Sequence, residues 1–259
     1  MTMPEVVVDR VSRDAAFYRF EDQDTARALA MGITFRLDGD THPLCKMAAA
    51  SLQQYLTQQT DWTHNFGLTA GNSGAVIGKM FGVLVVRHPN GNIGYLSAFS
   101  GKLANTNDHQ RFVAPIFDGL QPGSFLNTGM TRLSAINAEI AALLPADTAE
   151  IHRLKELRKA HSVALQRQIH EQYIFLNGAG YTKSLIEIFN DHGYKQPPAG
   201  AGECAGPKLL QHAFAKSLEP LAIAEFWWGL SPKSATWKHG EYYQPCKEKC
   251  KPILGWMLS

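Results

Sequence analysis

The stretch from Gly202 to Cys250, GECAGPKLLQHAFAKSLEPLAIAEFWWGLSPKSATWKHGEYYQPCKEKC, holds three of the chain's four cysteines. Cys204 follows Glu203 and opens a run of Leu209, Leu210, Ala213, Phe214 and Leu218. That spacing predicts a helix with one apolar stripe. Pro207 is tolerated in the first turn of such a helix, and a helix N-terminus favours a thiolate. Leu221 to Trp228 reads as a buried strand ending in two tryptophans. Pro245 and Cys246 open another helical turn, in which Cys246 and Cys250 share a face at i, i+4. A strand between two helix starts brings Cys204, Cys246 and Cys250 side by side as three candidate metal ligands. Zinc is the default cation for sulfur-rich ligation, and iron is the other metal that suits it. Three protein ligands leave one position open for water.

Working outward, Phe81 to Phe99 carries two strand-like runs around Pro89-Asn90-Gly91-Asn92. Asn-Gly between apolar runs predicts a hairpin. The first run is apolar on both faces, which predicts a central strand. Thr41 reads as an N-cap and Pro43 as an early helical position. Leu44, Met47, Ala48, Leu52, Tyr55 and Leu56 then repeat at helical spacing to about Gln59. Cys45, inside that helix, reads as a small buried apolar residue. Residues 1–40 read as a lead-in, with Thr34 to Leu37 as a short strand. The segment 61–79 reads as a loop around a short apolar piece, in which His64 and Asn65 read as ordinary loop residues, with facing a ligand as their functional alternative. GNSGAVIGK (71–79) has the look of a phosphate loop but lacks a preceding strand and a Gly-Lys-Ser/Thr ending, so a nucleotide loop is rejected.

Ser100 to Gly129 reads as a polar connection. Leu133, Ile136, Ile140, Leu143 and Leu144 predict a helix ending at Pro145, and 148–173 a second, amphipathic one. Together they form a helical hairpin with a basic face of Arg153, Lys155, Arg158, Lys159 and Arg167. That face reads as solvated, with RNA contact as its functional alternative. Phe175 to Asn190 carries a Gly-rich turn and a further helix.

Composition sets bounds on function. The chain has 259 residues, 45% of them apolar, which is enough for a sizeable core without staples. A net charge of +2 does not by itself argue for nucleic acid. Four cysteines are too few for a disulfide framework. With no apolar leader and no long apolar run, the expectation is a soluble cytoplasmic protein with reduced thiols, and no membrane partner.

Two resemblances sharpen this reading. The layout of Cys204, a strand and Pro245-Cys246…Cys250 resembles zinc-dependent nucleoside and nucleic-acid deaminases, with the hairpin as their first two strands. A wider resemblance covers most of the chain: HPLCKMAAASLQQYL, TDWTHNFGL, GKMFGVLVV, IGYLSAFSGKLA, FVAPIFD, GECAGPKLLQHAF, AEFWWGLSPKS and KHGEYYQPCKEKCKPILGWML. These are similar to the N-terminal region of long-form RluA-type pseudouridine synthases, a branch associated with converting a tRNA cytidine to pseudouridine. No synthase domain is present, so pseudouridine formation by this chain alone is not expected. The resemblances imply an α/β (α+β), cytidine-deaminase-like mixed sheet with flanking helices. They imply a zinc domain at 41–101 and 175–259, interrupted by a helical insertion at 102–174. By them Cys204, Cys246 and Cys250 would hold Zn2+. The family places a glutamate two residues after the first ligand, where this chain has Gly206. Glu203 would then be the proton carrier, or Glu225 would reach in from the strand.

The leading expectation is hydrolytic deamination of cytidine in RNA, with tRNA the implied class and a pseudouridine synthase the implied associate. Asn65, Trp227 and Trp228 would line the base pocket. The alternative is a non-catalytic RNA-binding module whose structural zinc is closed by His239, with Lys233, Lys238, Lys247, Lys249 and Lys251 on phosphates. A third reading is three unmetallated core cysteines, against which the Lys-rich setting of Cys246 and Cys250 argues.

Overall fold

The structure, a computed structural model, describes residues 16–69, 74–143, 148–232 and 236–259. Lys233, the first three residues of the glycine-rich segment (71–73) and Leu144 and Pro145, where the first hairpin helix was expected to end, lie outside the described residues. The chain is an α/β protein built on one antiparallel sheet. Its elements are β1 (Tyr18–Arg19), α1 (Gln23–Ala30), α2 (Pro43–Gln58), β2 (Lys79–Arg87), β3 (Ile93–Phe99), α3 (Phe125–Leu143), α4 (Thr148–Glu171), β4 (Ile174–Leu176), β5 (Thr182–Ser184), α5 (Leu185–Asp191), α6 (Ala205–Ala215), β6 (Glu219–Trp228), β7 (Tyr242–Tyr243) and α7 (Cys250–Met257). The main sheet has the order β1-β3-β2-β6-β7, and β4 with β5 forms a separate ribbon.

β2 is central, as its two-sided apolar character predicts. It pairs antiparallel with β3 in the register Phe81↔Phe99 to Arg87↔Ile93, and on its other side with β6, Lys79↔Trp228 to Arg87↔Glu219. The alternation of side chains sends Phe81, Val83 and Val85 to one core with α1 and α2. It sends Leu84 and Val86 to a second core with α5, α6 and α7. Gly82 faces the second core, where a Cβ would stand 2.9 Å from the Ala205 Cβ and 3.0 Å from Leu209 Cδ1. The missing side chain lets the first turn of α6 lie directly on the sheet.

α2 begins as expected, but its N-cap is His42 rather than Thr41, with Nδ1 accepting from the Leu44 N–H at 3.2 Å. The lead-in is more structured than its sequence suggests. Asp22 caps α1 by accepting from the Thr25 backbone at 3.0 Å, and Phe20, Ala26 and Ala30 are buried in the core. Thr34 to Leu37 form no strand. Phe35 and Leu37 pack partly into the second core, and the backbone there walls a groove along Leu221–Glu225 of β6 without pairing to it.

α3 and α4 form the expected helical hairpin around a small core of Ile136, Ile140, Ile151 and Leu154. α3 starts at Phe125, eight residues before the first predicted contact. The segment before it is no free linker, since Phe112 and Val113 are buried and the Val113 N–H bonds Ser97 O at 2.9 Å. Three cations of the basic face already have partners. Arg153 pairs with Glu150, Arg167 with Glu171, and Arg158 donates to Asn137. Among the described residues no helix is long and apolar enough to cross a membrane.

Candidate functional site

Cys204 is the N-cap of α6 in extended backbone, but its side chain makes no cap bond. Two of the helix's first N–H groups are satisfied by other elements instead. Ala205 N donates to Ser100 Oγ at 3.2 Å, and Gly206 N donates to Glu225 Oε1 at 3.0 Å. The Cys204 thiol is thereby free to turn toward the second pair. Cys246 lies in the turn that precedes α7 and Cys250 is the first residue of that helix. Their sulfurs are 3.4 Å apart, and the Cys250 N–H donates to Cys246 Sγ at 3.4 Å. The Lys251 N–H closes the turn on Cys246 O at 3.0 Å.

The three thiols are coupled by hydrogen bonds. Those with Cys204 and Cys250 hold the Cys246 thiol far below its usual range and favour its thiolate. The same bonds, with burial, push Cys204 up to about 12 and Cys250 higher still. One thiolate with two thiols leaning on it is a donor set in which a divalent cation can replace protons. Among the described residues no three His, Cys, Asp or Glu side chains stand in a preformed metal cage. The Cys246–Cys250 separation is a few tenths of an ångström shorter than the ~3.8 Å that two thiolates at ~2.3 Å from one tetrahedral zinc would keep. The donor chemistry fits zinc, and a small spreading of two side chains is what binding requires of it.

The expectation that a Lys-rich segment denies burial to this pair fails for Cys250. It is 3% exposed and sits in the second core. Ile253, Leu254 and Met257 continue its stripe along α7 and pull it inward, while Lys247, Lys249 and Lys251 point outward. Cys246 stays exposed, and Cys45 is buried in the opposite core, as its sequence suggested.

Two carboxylates flank Cys204. Glu203 lies on the outer side, half-buried, at the edge of a cavity with Lys208, Lys102 and Tyr173. Glu225 lies on the inner side, 6% exposed, opposite Gly82 in the sheet. Burial raises its carboxyl to about 7 despite the bond from Gly206, and its charge acts on Cys204, Cys246 and Cys250. Glu225 is therefore a carboxylate that senses the thiols. It reaches the backbone of Gly206, the position where the resembled deaminases carry their glutamate.

The remaining candidates gather at the Trp228 end of β6 but on different faces. Trp227 shares the Glu225 face, stacks on Trp237 with ring centroids 5.8 Å apart, and donates from its indole to Leu230 O at 3.3 Å. Trp228 turns to the opposite core and meets the His239 ring at 4.4 Å. Asn65 holds its own loop, accepting from Gly67 N at 2.9 Å and donating to Gly74 O at 3.1 Å. His64 is likewise tied to Ile77 O at 2.8 Å. His239, the expected alternative fourth ligand, accepts from Gly229 N at 3.1 Å on the Trp228 side of the sheet, away from the face that carries the thiols. Sequence reasoning missed Lys208 and Ser100. A lysine within a helical run reads as solvated, and nothing in Ser100's surroundings announces a bond to a helix more than a hundred residues away.

In comparisons of sequence and of fold, no family model, curated protein or solved structure matched this chain.

Proposed function

We propose that this protein is a zinc-dependent deaminase that converts cytidine to uridine in RNA. The observation that carries the reading is the meeting of three thiols and a buried carboxylate at the starts of α6 and α7, on either side of β6. The sheet order β3-β2-β6, with β2 antiparallel to both neighbours, supports the deaminase-like topology. Cys204, Cys246 and Cys250 would hold the ion and leave one position open. Zinc, when bound, supplies a water that is deprotonated near neutral pH for attack on the amino-bearing ring carbon.

The chain's own residues then have separable tasks. Glu225 accepts a proton at its carboxylate and returns it to the departing amino group. Its raised affinity for a proton suits that exchange near pH 7. The Gly206 N–H fixes the orientation of one of its oxygens. Ser100 and Gly82 hold the start of α6 against the sheet, and so set where Cys204 stands. RNA of the tRNA class, and a pseudouridine synthase acting on the uridine product, follow from the family resemblance and belong to the proposal. A non-catalytic module with a closed zinc site is less well supported, because His239 is committed on the other face of the sheet.

The test is metal content together with cytidine-to-uridine conversion in unmodified tRNA, on the native protein, Glu225→Gln and Glu203→Ala. Stoichiometric zinc, and turnover lost in Glu225→Gln with zinc retained, is the expected result. Full turnover in Glu225→Gln would remove Glu225 from the chemistry. Zinc with no turnover in the native protein on a whole tRNA pool would replace the enzyme with a structural module.

A further inference from the structure

The second carboxylate beside Cys204 faces a cavity to which the metal site gives no task. Its volume is about 210 Å3, between the first turn of α6 and the segment that leads into the helical hairpin. That is room for roughly seven waters at liquid density, or for one heterocyclic ring. The walls are apolar, from Ile116, Phe117, Leu120, Leu126 and Ile169. Tyr173 adds an aromatic edge, with its ring 5.9 Å from that of Phe117.

The polar groups in this cavity are few and oddly arranged. Lys208 is 4% exposed, and its Nζ donates to Phe99 O at 2.9 Å and Gly101 O at 3.2 Å. Its third N–H has no oxygen acceptor among the described residues, and the ammonium lies over the Phe99 ring, 4.9 Å from its centroid. The Glu203 carboxylate accepts no hydrogen bond and closes no ion pair among the described residues, although Lys208 lines the same cavity. A half-buried carboxylate without a partner and a buried ammonium whose third N–H has only a ring beneath it share an apolar slot without meeting. A ligand edge that donates to one and accepts from the other would supply both. Lys102 is exposed at the mouth, and Lys79 stands close enough to feel its charge. Three amines around one carboxylate leave an excess of positive charge for an anionic group outside the slot.

We propose that this cavity is a nucleobase pocket for a ring carrying an amino group beside an acceptor, read by Glu203 and Lys208. Glu203 accepts from the amino group, Lys208 donates to the neighbouring ring nitrogen or carbonyl, and Lys102 meets the phosphate. None of Cys204, Cys246, Cys250 and Glu225 lines the cavity, so the base read here is a neighbour of the one that would react at the metal; that it belongs to RNA rests on the deaminase reading above, and cytosine is the smallest ring of this kind. The pocket itself rests on the cavity and its two polar groups. Uracil fits the slot but sets a carbonyl oxygen against the Glu203 carboxylate. A site built this way rejects that mismatch strongly, because a buried group is left unpaired. The helical hairpin then has a role, since Leu126 from α3 and Ile169 from α4 complete the wall.

The test is calorimetric titration of the intact protein with cytidine 5′-monophosphate and uridine 5′-monophosphate, repeated with short oligocytidylate and oligouridylate. The cytidine ligand is expected to bind at least about tenfold tighter than the uridine one. Glu203→Gln should abolish the preference, because an amide can turn either way. Ile169→Trp should fill the slot and abolish binding of both. Tighter binding of the oligonucleotide than of the mononucleotide would identify RNA as the source of the base, and equal binding a free nucleotide. Equal affinity for the two bases, no binding of either at millimolar concentration, or unchanged binding in Ile169→Trp would overturn the proposal. Cys246→Ser separates this failure from that of the metal site. It should remove the metal and any turnover while the preference for cytidine monophosphate persists.

Discussion

Glu225→Gln tests the burial of a carboxylate that no sequence pattern requires to be buried. In the fold the Glu225 carboxyl is raised from 4.5 to about 7, with burial as the cause. A difference of that size corresponds to about 3 kcal/mol between its two protonation states. Below pH 4.5 the group is protonated whether the chain is folded or not, and it contributes no slope. As pH rises from 4.5 to 7, the unfolded chain releases the proton while the folded one still holds it. Stability therefore falls across that window, and the fall is complete above pH 7. Gln keeps an oxygen for the Gly206 N–H and cannot titrate. The assay is denaturant unfolding of both proteins at several pH values from 4.5 to 8, under reducing conditions with a chelator present. The stability of native protein minus variant should decline by about 3 kcal/mol over the range. Titration of the cysteines is common to both proteins and largely cancels in the difference. A flat difference would mean that Glu225 ionises in the fold as it does in water, and would remove the argument that it waits beside the thiols as a proton carrier.

Other perturbations probe how the site is held. Gly82→Val should force α6 off the sheet, costing about 3 kcal/mol and lowering bound zinc by direct metal analysis while all three cysteines remain. Gly202→Ala meets both a left-handed φ of +92° and the Tyr173 ring 2.7 Å from the new Cβ. Its melting temperature should fall by roughly 6 °C or more, read by circular dichroism. Cys45, whose thiol burial raises to about 12, should resist alkylation in the folded protein, and Cys45→Ala should keep full metal content by the same analysis. Moving the carboxylate back to the helix with Gly206→Glu should restore part of the deamination lost in Glu225→Ala. A Cβ at 206 would meet only Leu254 at 3.5 Å and Glu225 Oε1 at 3.6 Å, ordinary contacts that leave room for the change.

The frame of this fold was legible in the sequence where a local pattern carries its own consequence. An apolar run without alternation made β2 central, Asn90-Gly91 turned the hairpin, and a stripe beginning at Leu209 made α6. The closeness of Cys246 and Cys250 followed from their spacing of four, while Cys204 comes to them through packing that no local pattern carries. What escaped were properties set by distant partners. Cys250 is flanked by lysines in sequence, yet the stripe that follows it draws it into the core. Thr34 to Leu37 alternate like a strand, but the edge of β6 they lie along does not accept them. α1 is short and mostly polar, and it is held by an aspartate cap and two buried alanines rather than by a visible stripe. Glu225 was open in the sequence as the alternative to Glu203, but its neighbours in an apolar strand say nothing of a glycine opposite and a helix N-terminus above.

The pairing of Glu203 and Glu225 around one cysteine ties the site and the cavity together. A helix N-cap exposes its side chain and the residue before it on opposite sides of the chain. Cys204 thus turns inward to the sulfurs, while Glu203 turns outward to the slot beneath the helical hairpin. The inward position two residues later is Gly206, which has no side chain to offer, and the strand fills the gap with Glu225. On the proposed reading, one turn of α6 presents a metal ligand to the inside and a ligand-reading acid to the outside, with Lys208 one turn further on the same helix. On that reading, a proton carrier supplied from the sheet leaves Glu203 free to hold a neighbouring base. That division predicts opposite kinetic signatures for the two acids. Loss of Glu225 should fall on kcat, whereas loss of Glu203 should fall on KM and on the choice between cytosine and uracil at the neighbouring position. If both variants changed only kcat, the two carboxylates would act as one unit, and the separation drawn between site and cavity would be wrong.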